Sequence, residues 1–241
     1  LDPRTRLVLL STVNYSTGLR PPLAAIGDLL RGRDVVFYVD ATQSLGALRV
    51  DVATLGADLV TANGYKWLCA PAGVGFAYVR PETRRWLEPS VISWRSHKDW
   101  RRVDALHHGP PELPPEAQRY EGGLQNFSGI YALGAVLEMM HELGPDRIEQ
   151  RIRELGEYGC RVLRGAGGEL DRDRLLHYDS PILAARFPGR DVAALAARLR
   201  DQRVVVAARH GCLRVSPHFF NNEEDLDRLG ECVADILSLE R

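Results

Sequence analysis

With 241 residues, 45% hydrophobic and 26% charged, the chain has the composition of an ordinary soluble globular protein with one large or two smaller domains. A formal net charge of −1 points to neither nucleic acid nor an anionic membrane surface, and no apolar run approaches transmembrane length. The four cysteines (Cys69, Cys160, Cys212, Cys232) are widely spaced and form no metal-ligand pattern; without a signal peptide, they suit reduced thiols in the cytoplasm.

The chain opens Leu1-Asp2-Pro3-Arg4-Thr5, without an initiator methionine, and runs at once into a strand, Arg6 to Val13. A domain normally offers an opening element there, so a missing first portion is expected. Leu7 to Val13 reads as a buried strand, and Asn14 to Gly18 as the loop leaving its carboxyl end, the end that faces the ligand crevice in open α/β folds. Pro21 to Arg31 has a proline start, apolar spacing at Leu23, Ile26, Leu29 and Leu30, and an arginine-rich end, which predict an amphipathic crossover helix. Val35 to Val39 reads as a buried parallel strand that delivers Asp40 at the carboxyl end of the sheet. Asp51 to Gly56 is a short helix capped by its aspartate.

A second apolar run, Asp58 to Ala62, precedes Lys66. Two parallel strands joined by a crossover can present the Asp40 carboxylate and the Lys66 amine in one crevice. A pyridoxal phosphate site needs this pair: a lysine to form a Schiff base with the cofactor, and an acid to keep the ring nitrogen protonated so that the ring acts as an electron sink. Of 31 basic residues only Lys66 and Lys98 are lysine, so arginine serves almost wherever a positive charge is wanted. Arginine cannot replace an imine-forming amine, because its guanidinium stays protonated.

Gly73 to Val79 reads as another buried strand, and Lys98 to Ala117 as a long exposed loop. His107-His108 in that loop have no partner ligands at metal-site spacing, so no metal is expected. Helices are predicted over Ser128 to Leu143 and Asp146 to Arg164, after which Gly165 to Gly168 marks a boundary. The large domain is thus 1–164 and the small C-terminal domain 165–241. The latter reads β (Pro181 to Phe187), α (Asp191 to Asp201), β (Arg203 to Ala207), β (Cys212 to Ser216), α (Asn222 to Leu239), an α+β unit without a nucleotide fingerprint.

The segments DATQSLG (40–46), DVATLGADL (51–59) and NGYKWLCAPAGVGFAYV (63–79) resemble the class V aminotransferases of fold-type I pyridoxal phosphate enzymes. That family includes cysteine desulfurases, selenocysteine lyase, isopenicillin N epimerase and kynureninase. The resemblance extends with gaps from about residue 3 to the chain end. It implies the aspartate aminotransferase-like fold: a mostly parallel α/β domain, lacking its N-terminal part, plus the small α+β domain. It implies a homodimer with shared active sites and a small amino-acid substrate.

By that resemblance Lys66 is catalytic, and Asp40, Gln43, Asn63, Tyr65, Lys66 and Trp94 bind the cofactor. Gln43 would address its phenolic oxygen, Asn63 and Tyr65 its phosphate. Ser93 to His97 resembles the kynureninase segment whose tryptophan reaches the neighbouring subunit's cofactor; Trp94 does that or simply packs. VNYSTG resembles the kynureninase loop near the substrate, so Asn14 and Tyr15 either touch substrate or only form a turn closed by Gly18. Leu124 replaces the threonine of the E-x-G-T-x-N turn and cannot donate to the partner's phosphate. Leu213 to Asn221 resembles the R-x-S-x-x-x-Y-N stretch whose arginine binds the substrate carboxylate, which assigns Arg214, with Arg209 second.

The nucleophilic cysteine of persulfide-forming desulfurases has no counterpart before Arg214 except Cys212. A C–S lyase reaction is expected, with transamination, kynureninase-like hydrolysis and epimerisation open. A non-catalytic relative that keeps the fold for binding or assembly is the alternative of another class.

Overall fold

A computed structural model describes every residue except 103, 105–108, 171–178 and 240–241. His107 and His108 therefore lie outside the described residues. The chain divides into two compact units: one of residues 1–10, 24–40 and 51–136, the other of 11–23, 41–50 and 137–241.

The first unit is built on strands β1 (Leu7–Ser11), β2 (Val36–Asp40), β3 (Leu59–Asn63) and β4 (Gly75–Val79), adjacent in that order. Helices α1 (Leu23–Leu30) and α2 (Val52–Leu55) fall where the sequence predicts them. Strands β2 and β3 are parallel, in the register Tyr38↔Leu59, Val39↔Val60, Asp40↔Thr61, as the crossover requires. Their alternate residues Phe37, Val39, Val60 and Ala62 are buried, and β4 closes the sheet antiparallel to β3. Asp58 locks the base of this arrangement: its Oδ2 accepts from the Phe37 N–H at 2.8 Å, its Oδ1 from the Thr83 hydroxyl at 3.2 Å, and Arg80 lies 3.5 Å away.

Two of the strands predicted as buried are not. Leu7 and Leu9 of β1 are 53% and 54% exposed, and Phe76 of β4 is 43% exposed. The reason is position: β1 and β4 are the two edges of the sheet, and only the central strands have neighbours on both sides.

Asp51 caps α2 by accepting from the Ala53 N–H at 2.9 Å, and Gly56 ends it in the left-handed conformation. That end meets α1 at Gly27, where an added Cβ would sit 2.2 Å from the Leu55 carbonyl oxygen. Glycine here permits a backbone-to-backbone approach. Beyond β4 come a single helical turn, α3 (Pro81–Arg84), and α4 (Phe127–Leu143).

The second unit holds α5 (Pro145–Gly165), β5 (Glu169–Leu170), β6 (Leu183–Arg186), α6 (Val192–Asp201), β7 (Ala207–Arg209), β8 (Cys212–Val215) and α7 (Glu223–Ser238). Its sheet has the order β5-β6-β8-β7, with every neighbouring pair antiparallel among the described residues. Leu155, Leu163, Leu183, Leu195, Leu199, Leu213, Val233 and Ile236 form one core between the helices and one sheet face. The apolar residues of α5 recur at helical spacing (Ile148, Ile152, Leu155, Leu163) and supply its buried stripe.

Strand β7 begins at Ala207, later than the predicted Arg203 to Ala207. Arg203 takes a left-handed φ of 63° to leave α6, and the register pairs Ala207 with Arg214. Earlier residues would fall opposite 215–217, where Pro217 has no N–H to donate. The two-residue strand β5 was not read from the sequence at all.

Candidate active site

In the first unit, Asp40 is the last residue of β2 and lies opposite Thr61 of β3. Side chains alternate across a strand, so Asp40, Thr61 and Asn63 emerge on one face while Val39, Val60 and Ala62 are buried on the other. Tyr38 shares the Asp40 face and bonds the Thr61 hydroxyl at 2.8 Å, which ties the two strand ends together.

The chain then turns sharply. Gly64 donates its N–H to the Val74 carbonyl at 2.8 Å, Ala70 donates back to Gly64 at 2.9 Å, and the Cys69 N–H reaches the Lys66 carbonyl at 3.0 Å. Cys69 holds a φ of 53°, and Trp67 and Leu68 are buried. The two apolar residues after Lys66 thus anchor the turn that presents the half-buried lysine. Its Nζ lies 5.8 Å from the centroid of the exposed Tyr65 ring. Asn63 is also exposed. The other lysine, Lys98, is committed to an ion pair with Glu112.

Trp94 starts a short 3₁₀ turn, Trp94–Ser96, and is 41% exposed. The turn is fastened to the loop carrying Leu124: the Gly123 N–H donates to the Ser93 hydroxyl, and the Ser96 hydroxyl donates to the Glu121 carbonyl at 3.0 Å. Beneath it the buried Arg95 lies 4.3 Å from the Trp100 ring and 3.6 Å from the Glu121 carboxylate. The two segments that resemblance links to a neighbouring subunit are therefore one surface, on which Leu124 is 82% exposed.

In the second unit, Gln43 is only 8% exposed, and its Oε1 has no hydrogen-bond partner. Asn14 spends its side-chain oxygen on its own loop, accepting from the N–H and hydroxyl of Ser16 and the N–H of Thr17 at 2.8–3.0 Å. Gly18 closes that loop with a φ of 76°. Tyr15 points elsewhere: its hydroxyl lies 3.2 Å from Nε2 of His210, and the two rings meet edge to face. His210 and Gly211, both at positive φ, form the tight turn joining β7 to β8.

Arg214 lies on β8, opposite Ala207 on one side and Ala184 on the other. Alternation puts it on the same sheet face as Arg209 and away from the core residues Leu213 and Val215. Burial, then the nearby Arg209 charge, pushes the Arg214 guanidinium below its ordinary value, and its buried Nε has no partner. The contact between Tyr15 and His210 escaped sequence reasoning, as did the buried 2.6 Å hydroxyl pair of Thr12 and Ser44. No local pattern signals either, since the partners are 195 and 32 positions apart. Among the described residues no group of three or more His, Cys, Asp or Glu is placed to hold a metal, and no helix is long and apolar enough to cross a membrane.

An acid and a lysine at the ends of paired parallel strands, followed by a small α+β unit, define a fold-type I architecture. The chain belongs to the aminotransferase class-V family, whose profile matches residues 1–229. It is 32% identical to isopenicillin N epimerase of Streptomyces clavuligerus, over 97% of this chain and 61% of that protein. It is 30% identical to a probable hercynylcysteine sulfoxide lyase of Mycobacterium tuberculosis, over 96% of this chain and 57% of the relative.

Among solved structures, the cystine C–S lyase C-DES, in complex with its product cysteine persulfide, superposes with a TM-score of 0.85 at 25% identity, over 98% of this chain and 62% of that one. The fold is thus the pyridoxal phosphate-dependent transferase fold that the sequence implied. The chain spans about three fifths of the length of these relatives.

Proposed function

We propose that the protein uses pyridoxal phosphate to act on an amino acid, by a β-elimination that cleaves a C–S bond. The observation that supports this reading is that Asp40 ends β2 opposite Thr61 of the parallel strand β3, whose exit leads into the turn carrying Lys66, an acid and an amine being the pair this cofactor requires. The other residues present fit the group. Gln43 keeps a buried amide oxygen that no protein group claims, which a ring substituent can engage. Asn63 and Tyr65 offer exposed donors to a phosphate.

When bound, the cofactor supplies an aldehyde for imine formation and a ring that accepts the electron pair of a breaking Cα bond. Lys66 would hold it through its amine and, with that amine free, would take the Cα proton as general base. Asp40 would keep a proton on the ring nitrogen, and Arg214 would hold the substrate α-carboxylate through its two-toothed fork. Trp94 serves the cofactor of a partner copy in a homodimer. Loss of the Cα proton and of the Cβ thiolate, followed by addition of water, leaves pyruvate, ammonia and a thiol.

Two observations favour direct release of the sulfur product over capture by an enzyme cysteine. The link between β7 and β8 is only His210-Gly211, too short to carry a mobile nucleophile, and Cys212 is buried at 5% exposure. Similarity to a probable sulfoxide lyase and to a C–S lyase supports the same branch. Similarity to an epimerase favours a second reading, proton exchange at Cα without elimination.

Product analysis on cysteine conjugates decides between them. Pyruvate with a thiol is the expected outcome. Solvent deuterium at Cα without net change means epimerisation, a keto acid with aminated cofactor means transamination, and anthranilate with alanine from kynurenine means the hydrolase. Purified protein that gains no absorbance band near about 420 nm with excess cofactor would leave the binding-only alternative.

A further inference from the structure

The second unit holds a buried chain of hydroxyls that the proposed reaction leaves unused. Thr12 and Ser44 are 6% and 1% exposed, and their hydroxyl oxygens lie 2.6 Å apart. The Ser44 hydroxyl donates to the Ala41 carbonyl at 3.3 Å, so the proton left for the short contact is that of Thr12. The chain thus runs from Thr12 through Ser44 to Ala41.

The same carbonyl accepts from the N–H groups of Ser44 at 3.0 Å and Leu45 at 2.9 Å, while the Ser44 carbonyl accepts from those of Ala47 and Leu48, both at 2.8 Å. Ser44 is therefore the joint of two successive turns, and Thr12, 32 positions away, is fastened to that joint. Ala41, Thr42, Ala47 and Leu48 are buried too, so no bulk water replaces a missing hydroxyl there.

Gln43 sits between the two pinned ends, Ala41 and Ser44. It is 8% exposed, yet among the described residues its Oε1 has no partner. A buried amide oxygen relaxes toward a donor where its backbone is free to move, because leaving the bond unmade costs free energy. Apolar packing is non-directional, whereas a chain of hydrogen bonds fixes the turn in one geometry.

We propose that Thr12 and Ser44 are positioning residues for the cofactor: their hydroxyl pair locks the turn at 41–44, so that the Gln43 amide stays unclaimed by the protein and meets a polar substituent of the pyridoxal phosphate ring. The inference rests on the assignment of Gln43 to that ring. It gives two hydroxyls, acting through Gln43, a share in setting the cofactor's protonation.

Cofactor affinity and the pH titration of the absorbance band near about 420 nm test this without turnover. An amide hydrogen-bonded to a ring substituent favours one protonation state over the other, so removing it moves the titration midpoint. Gln43→Ala is expected to move the midpoint by about one pH unit and to weaken cofactor affinity about tenfold, as loss of one hydrogen bond to a charged group implies. Thr12→Val and Ser44→Ala should each move it in the same direction by about half a unit, and Ser44→Ala should add nothing in the Gln43→Ala background. Thr12→Ser, which keeps the hydroxyl, should retain the parent midpoint. Thr12→Val nearly preserves shape, so it reads the hydroxyl even if Ser44→Ala does not fold.

A midpoint unmoved by Thr12→Val, or a Ser44→Ala shift that persists without Gln43, overturns the inference and leaves the hydroxyls to folding alone. An unmoved midpoint in Gln43→Ala removes the amide from the ring, and the inference with it, while the proposed reaction stands. Parent protein that binds no pyridoxal phosphate is a different failure: it overturns the proposed function and takes the inference with it.

Discussion

At the scale of single residues, the proposal concentrates on two cations that do different work. Lys66 supplies chemistry more than packing, since the buried contacts of its turn come from Trp67 and Leu68. Lys66→Ala is therefore expected to melt like the parent, yet to form no borohydride-fixable adduct and show no turnover. Normal turnover in that variant would sink the assignment. Arg214→Ala should instead raise KM for amino-acid substrates about 10- to 100-fold with cofactor affinity nearly unchanged, because the charge-assisted, two-toothed contact it removes falls on the substrate. An unchanged KM would remove the carboxylate anchor.

These residues were legible because their signals are local: an acid ending an apolar run, a lysine in a chain that otherwise uses arginine, an arginine seven positions before an asparagine. Tyr15 was legible only as part of a loop. Its partner His210 is brought to it by folding, and nothing in either segment marks the other.

At the scale of elements, periodicity located α1, α4, α5, α6 and α7 to within a few residues, because each buries one stripe and several carry explicit caps. The failures were of environment. An apolar run such as Leu7 to Val13 or Gly73 to Val79 specifies a strand but not its place in the sheet, and edge position left Leu7, Leu9 and Phe76 exposed. Close approaches of backbone are equally silent in sequence. Gly27 looks like any small helical residue, yet its missing side chain lets α1 touch the end of α2. Gly27→Ala should cost about 1–3 kcal/mol despite the gain in helix propensity, because the obstructing atom is a backbone carbonyl that cannot rotate away. Urea unfolding measures it; a variant as stable as the parent would show that α1 is free to shift.

At the scale of the whole molecule, the surface around Trp94 bears on assembly. The Trp94–Ser96 turn and the Glu121–Leu124 loop are hydrogen-bonded together; Trp94 and Leu124 on these segments are exposed, as are Val91 and Ile92 just before the turn and Phe127 at the start of α4. Arg95 holds that face from below, its guanidinium against Trp100 and its charge beside Glu121, so the exposed aromatics are carried on an ordered support. Apolar surface grouped in this way marks an interaction site, and two-fold symmetry is the commonest way to cover it with a second copy of the same patch. The protein is expected to sediment at twice its protomer mass at micromolar concentration, with an obligate-type interface of about 2,000 Å² or more. Trp94→Ala and Leu124→Asp should then shift the equilibrium toward monomer, the charged variant further, since a carboxylate at the centre of an apolar contact is desolvated without a partner. If Trp94 also serves the partner's cofactor, Trp94→Ala should weaken cofactor binding at concentrations where the dimer persists, whereas Leu124→Asp should weaken it only as the dimer dissociates. A monomer with cofactor fully bound would overturn the shared-site arrangement and leave Trp94 as a packing aromatic.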